Sequence, residues 1–280
     1  MTMTMDITPD TDTELVRYDV RDGVAVISWN RPHRNNAWTP ALEDAYFTQL
    51  RVAAADDEVK AIVITGRGRH FSPGMDMQHL ASASNGVHNR PPEEREPQTL
   101  PMTIPKPIIA AIHGSCAGTG FIQACVADVR FVAPDAKLTA AFVRRGIMAE
   151  HGLAVLLPAI VGTANALDIL MSGRVLSGTE AAGLGFAKLA APGRAVDEAV
   201  AYARDIAATC SPVALAITKK QVYEGISEPL ESARRDALDI WKKLREHGDF
   251  KEGVASFVER RAPRFAPLDE QWVRIANTTS

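Results

Sequence analysis

Two stretches of this 280-residue chain put a glycine bend directly behind a run of apolar residues. Residues 59–65 lead into His70-Phe71-Ser72-Pro73-Gly74-Met75-Asp76, and residues 108–112 lead into His113-Gly114-Ser115-Cys116-Ala117-Gly118-Thr119-Gly120. Short continuous apolar runs bounded by turn residues are the pattern of strands covered on both faces. Glycine lets the backbone come close to a ligand with no Cβ in the way. Two such bends brought together would offer converging backbone N–H groups, a cradle for an oxygen that gains negative charge.

The surrounding pattern is α/β. Leu15-Val16-Arg17-Tyr18 and Val24-Ala25-Val26-Ile27-Ser28-Trp29 flank Arg21-Asp22-Gly23, which predicts an opening hairpin. Thr39 can cap a helix that has Pro40 at its first position and Leu42, Tyr46, Leu50 and Ala53 on one face. A helix-like stretch, 121–127, follows the second bend, and a third strand, 129–133, ends at Pro134-Asp135-Ala136-Lys137. Beyond residue 196 the segments 197–209, 213–223, 230–245 and 250–260 read as helices with no strand between them. This predicts a frayed polar terminus over 1–12, a core domain over 13–199, a helical subdomain over 200–265 and a tail over 266–280. Residues 82–99 hold three prolines and few large apolar residues. They read as a surface loop, placed where a lid could close.

Composition narrows the partners. A net charge of −3 gives no basic field for a nucleic acid. No window approaches the roughly 20 apolar residues of a membrane span, and Met1-Thr2-Met3-Thr4-Met5-Asp6 lacks the features of a signal peptide, so a cytoplasmic protein is expected. Cys116, Cys125 and Cys210 are odd in number and unlike metal knuckles in spacing. No metal site is expected, and the thiols should be reduced.

With Asn30-Arg31-Pro32, Asn36-Ala37 and Phe257-Val258-Glu259-Arg260-Arg261, the two bends resemble the crotonase (enoyl-CoA hydratase/isomerase) superfamily over roughly residues 13–265. The resemblance implies a spiral of ββα units with a helical trimerisation subdomain, an acyl-CoA thioester substrate, no separate cofactor, and a homotrimer or dimer of trimers. It implies that the amides of Met75 and Thr119 form an oxyanion hole. Arg31, Arg34, Ala37, Gly74, Asp76, Met77, Gly118, Gly120, Ile122 and Phe142 would then line the substrate. Phe257 and Arg260 would reach the nucleotide from a neighbouring subunit, with Arg31, Arg34 and Arg260 as contacts to phosphates.

Hydratases of that superfamily hold water with two glutamates, and the matching positions here are Ile122 and Phe142. Glu150, in Gly146-Ile147-Met148-Ala149-Glu150-His151-Gly152, resembles instead the single carboxylate of peroxisomal-type isomerases that move an enoyl-CoA double bond from C3 to C2. One carboxylate suffices to take a proton from C2 and return it at C4. An apolar wall of Ile122, Phe142 and Met148 would raise its pKa. Three other readings stay open: hydration by an altered site, binding of acyl-CoA without turnover, and a cysteine nucleophile in Gly114-Ser115-Cys116-Ala117-Gly118, which spells a hydrolase elbow with Cys in the Ser position.

Overall fold

The structure, a computed structural model, describes residues 14–84 and 95–266 together with Trp272 and Ile275. The expectations for 1–12, for most of the 82–99 loop and for most of the tail lie outside the described residues.

The opening hairpin pairs β1 (Val16–Arg21) with β2 (Val24–Trp29). Asp22 and Gly23 turn it with φ of 54° and 77°, the left-handed pair that matches strand twist. From β2 onward the sheet is parallel, running through β3 (Ala61–Gly66), β4 (Ile108–Ile112), β6 (Val129–Val132) and β9 (Lys188–Leu189). Every residue of β3 and β4 is buried, as expected of strands covered on both faces. A second, smaller sheet orders β5 (Ser115–Ala117), β7 (Lys137–Thr139) and β8 (Leu176–Ser177). The chain steps from β4 to β5 and from β6 to β7, so each turn of the α/β spiral contributes to both sheets. Ser72 makes a parallel bridge with Cys116, carrying the segment after β3 into the same second layer.

Helix α1 (Pro40–Ala55) begins as its sequence predicts, with the Leu42 amide donating to Thr39 Oγ1 at 3.2 Å. Leu42, Tyr46, Leu50 and Ala53 are all buried. The other face of the large sheet is covered by α8 (Ala195–Thr209), which presents Ala199, Ala203 and Ala207 at helical spacing. The boundary expected at residue 200 therefore falls inside a helix of the core layers. Among the described residues no single helix is long and apolar enough to cross a membrane.

The expected helices 213–223 and 230–245 are one helix, α9 (Pro212–Leu244), with Pro229 inside it. Proline removes the N–H that would bond the carbonyl four residues back, here that of Gly225, and crowds it. Tertiary anchors on both sides carry the helix through. Lys219 Nζ donates to Asp128 Oδ2 at 2.8 Å and to the carbonyls of Pro101 (3.0 Å) and Lys106 (3.1 Å). Tyr223 Oη donates to Asp128 Oδ1 at 2.8 Å, and Leu230 is buried. Beyond Pro229, Leu230 belongs to this chain's own core and Trp241 packs against it, next to α10 (Gly248–Val258). Trp241 meets Phe250 edge-on at 5.0 Å.

Lys219 is 9% exposed and its partner Asp128 18%, so removing one charge strands the other. Lys219→Met should lower stability by about 3–5 kcal/mol in urea unfolding. Adding Asp128→Asn should recover part of that loss.

Candidate active site

The first glycine turn is gripped by the segment that precedes α1. Asn35 and Asn36 take φ of 54° and 61°, a conformation in which asparagine is favoured over larger side chains. Buried Asn36 donates through Nδ2 to the carbonyls of Arg67 (2.9 Å) and His70 (2.7 Å) and accepts from the Arg31 amide at 3.0 Å. Ser72 Oγ donates to the Asn36 carbonyl at 2.8 Å and accepts from the Gly74 amide at 3.2 Å. The Trp38 amide donates to the Gly74 carbonyl, and the Asp76 amide to the Trp38 carbonyl, each at 2.8 Å. The amides on either side of Met75 are thus used. The Met75 N–H has no acceptor among the described residues.

The second turn lies directly on the first. The Ser72 amide donates to the Ser115 carbonyl and the Ala117 amide to the Ser72 carbonyl, each at 2.9 Å. Gly74 has φ of +91°, and a Cβ on it would stand 2.8 Å from the Ala117 oxygen and 3.4 Å from Gly118 Cα. Gly118 caps α4 (Thr119–Val126) with φ of +49°, so the Thr119 N–H opens a helix and has no acceptor within it. Gly120 sits against the Ser72 backbone. Met75 and Thr119, the residues expected as donors, thus each carry an amide without an acceptor among the described residues, on two abutting turns.

Asp76, 2% exposed, precedes Met77, the first residue of α2 (Met77–Ser84), and accepts from the Gln78 amide at 3.1 Å. It also holds Arg31 at 3.3 Å and Arg34 at 3.2 Å. Burial raises its carboxyl, but Arg34, the Gln78 amide and Arg31 outweigh that and hold it below the ordinary value. Arg31 Nη1 donates in addition to the Ala37 carbonyl. The two arginines expected on phosphates are both paired with Asp76, beside the first glycine turn.

Glu150 stands three residues before α5 (Leu153–Val161), where His151 (φ 54°) and Gly152 (φ 77°) reverse the chain. It faces a small cavity of about 50 Å³ whose walls include Arg95, Gln98, His151, Arg234 and Trp241. Burial pushes its carboxyl up to about 7 against the opposing charge of Arg95. His151 is pushed down to about 4, chiefly by burial, and stays neutral. The expected direction of the Glu150 shift is present, but the apolar wall expected for it is not the wall found. Ile122 and Phe142 are buried in the hydrophobic core, with Met148 packed against it.

Hydrogen bonds connect this cavity to both turns. Glu43, buried on α1, accepts from Trp38 Nε1 (2.8 Å), Gln98 Nε2 (2.6 Å) and Arg95 (3.0 and 2.6 Å). Trp38 is the residue whose backbone grips Met75. Gln98 Oε1 in turn accepts from Gln123 at 2.7 Å, one helical turn beyond Thr119 on α4. None of Asn36, Glu43, Ser72, Arg95, Gln98, Gln123 or Arg234 stood out as a site residue in the sequence. Glu43 did leave a signal, an acid beside Leu42 on the apolar side of α1.

Phe257 lies near the C-terminal end of α10, 42% exposed, with the Arg145 guanidinium 3.5 Å over its ring, and Arg260 is exposed just beyond with φ of 56°. The cysteine reading fails on access. Cys116 is fully buried in β5, and burial, with Cys125 nearby, drives its thiol well above the ordinary value. Among the described residues no cluster of His, Cys, Asp or Glu could hold a metal.

The family model described as enoyl-CoA hydratase/isomerase matches residues 19–267. A probable enoyl-CoA hydratase of Rhodobacter capsulatus is 32% identical over 89% of this chain and 97% of its own length. A peroxisomal Delta(3,5)-Delta(2,4)-dienoyl-CoA isomerase of Arabidopsis thaliana is 28% identical over 91% and 97%. The crystal structure of an enoyl-CoA hydratase/isomerase from Pseudoalteromonas atlantica superposes with a TM-score of 0.82 at 25% identity, over 90% of this chain and all of that one. Sequence, fold and the paired glycine turns agree, and the chain belongs to the enoyl-CoA hydratase/isomerase family, an enzyme of the crotonase superfamily.

Proposed function

We propose that the protein moves the double bond of an enoyl-CoA from C3 to C2, with Glu150 as the proton carrier and the Met75 and Thr119 amides holding the thioester oxygen. The observation that carries this reading is the Glu150 carboxyl, half-buried on the wall of a small cavity and raised to about 7, with that cavity bonded to both amide-bearing segments through Glu43 and Gln98. A base near neutrality is matched to taking a proton and giving it back. Loss of the C2 proton places negative charge on the thioester oxygen, and each preorganised donor there is worth about 3 kcal/mol. The pair of electrons then returns through C4, which takes the proton from Glu150. Coenzyme A enters as part of the substrate, and the chemistry calls for no separate cofactor.

Water addition is the second reading, favoured by relatives named as hydratases. Against it stand Ile122 and Phe142, buried and apolar where that reaction needs water-holding acids. Mass spectrometry in heavy-oxygen water separates the two, because hydration adds mass and isomerisation does not. Glu150→Gln should lower turnover about 100- to 10,000-fold with CoA-ester affinity within a few-fold. Wild-type turnover in that variant, or label entering faster than the double bond moves, would overturn the assignment.

The pH dependence has a fixed sign. A base must be ionised, so kcat/KM should rise with pH and reach half its plateau near the Glu150 value of about 7. Because the folded state binds this proton more tightly than the unfolded state, whose carboxyl has the ordinary value of 4.5, Glu150 should cost wild type a growing amount of stability between about 4.5 and about 7 as pH rises. The loss is read as the difference from Glu150→Gln, because His151, pushed down to about 4, acts in the opposite sense over much of that range. Glu150→Gln should lack that loss and melt higher than wild type at pH 8.

The proposal includes assembly as a trimer or dimer of trimers, with Phe257 and Arg260 presented to a neighbouring subunit's nucleotide. Its support is apolar surface left on the single chain, with Leu167 51%, Met171 72% and Val175 56% exposed. Light scattering at micromolar concentration should give a multiple of three chains, and a monomer would defeat this part.

A further inference from the structure

We propose that Asp76 is a positioning residue: clamped by Arg31 and Arg34, it fixes the direction in which the Met75 N–H points. The inference rests on the two-amide reading above. In a trans peptide the carbonyl and the following N–H point in opposite directions, so whatever holds the Gly74 carbonyl aims the Met75 amide. That carbonyl accepts from the Trp38 amide, and the Asp76 amide returns a bond to the Trp38 carbonyl, each at 2.8 Å. One residue, Trp38, therefore grips the chain on both sides of Met75 and turns the N–H away from itself.

Two backbone bonds at an isolated bridge are a weak hold, since the bridge lies outside any strand. Arg31 reinforces it by spanning the bridge. Its Nη1 holds the carbonyl of Ala37, the neighbour of Trp38, while its Nη2 holds Asp76 Oδ2 at 3.3 Å. Arg34 takes the same carboxylate at 3.2 and 3.4 Å, and the Gln78 amide takes Oδ1 at 3.1 Å. Asp76 is thus tied to residues 31, 34 and 78 at once, and through Arg31 to the strand-like segment that holds Met75. A helix cap alone would need only the Gln78 bond. The two guanidiniums serve a different end, which is to lock residues 37–38 against residues 74–76.

The test compares wild type with Asp76→Asn, which keeps the side-chain size and the Gln78 acceptor but loses the charge that holds both arginines. The probe is a 2-enoyl-CoA with ¹³C at the thioester carbonyl, whose infrared stretch falls when donors hold its oxygen. Wild type should show a lowered stretch. Asp76→Asn should lose most of that shift and about 10- to 100-fold in kcat, part of what loss of an oxyanion donor costs, with KM changed less than about threefold. A wild-type shift and kcat in Asp76→Asn would overturn the inference alone. No shift in wild type would overturn the two-amide reading, and this inference with it. If Asp76→Asn does not fold, Arg31→Lys decides, since an ammonium cannot span Ala37 and Asp76. It should lose a measurable part of the shift, and an unchanged stretch would overturn the proposal.

Discussion

Gly74 and Gly118 meet backbone to backbone, and the remainder of the site is arranged around that contact. Any side chain at Gly74 would strike the Ala117 oxygen at 2.8 Å, so the two turns could approach no closer than a methyl group allows. The approach brings the amide-bearing turns of Met75 and Thr119 against each other. It also determines what the neighbouring groups must do. The carbonyls and amides around Met75 have to be satisfied elsewhere, because a buried polar group left without a partner is costly. Asn36, Ser72 and Trp38 take them up, and the Met75 amide is the one left over.

The floor beneath the turns is aromatic. Trp29 meets Phe71 at 4.6 Å, Trp38 at 5.2 Å and Tyr46 at 5.5 Å, all edge-on. These rings belong to β2, the first turn, the pre-α1 segment and α1, so one cluster holds together the elements around the Met75 amide. Packed rings move little, and a donor that does not reorganise during the reaction stabilises charge more effectively than a mobile one. Trp29 Nε1 and Tyr46 Oη have no hydrogen-bond partner among the described residues. Stability given up at those atoms is offset by packing against the same rings.

Much of this was legible in the sequence because it rests on short-range rules. Asp22-Gly23, Thr39-Pro40 and the apolar runs before each glycine bend state their turn, cap and strands within a few residues. The same holds for the two donor amides, which depend on glycine placement and not on side-chain chemistry. What was not legible depends on partners distant in the chain. Pro229 predicts a break, yet α9 runs through it, anchored before the proline by Asp128, 91 residues before Lys219, and after it by buried Leu230. Arg31 and Arg34 look like free surface cations until Asp76 is placed beside them. Arg95 and Gln98 lie in a stretch with no periodicity at all, and only Glu43, 52 and 55 residues earlier, gives them a position.

The Glu150 cavity shows how a carboxyl can sit among arginines and still be raised. Arg95 gives Nε and Nη2 to Glu43, and Arg234 gives Nε and Nη2 to Glu231 at 2.9 and 2.8 Å, so each cation already has its own carboxylate. Arg95 still pulls the Glu150 carboxyl down, but burial outweighs it. His151, next in the chain, is kept neutral by burial and by those same arginines and offers no counter-ion. A carboxylate paired with a dedicated cation would hold a pKa far below neutrality and take protons poorly. Glu43 therefore has two consequences at once. It bonds Arg95 on the wall of the Glu150 cavity, and it bonds Trp38, whose backbone holds the Met75 turn. Through that one buried acid, the Glu150 cavity and the Met75 turn are built on a shared framework.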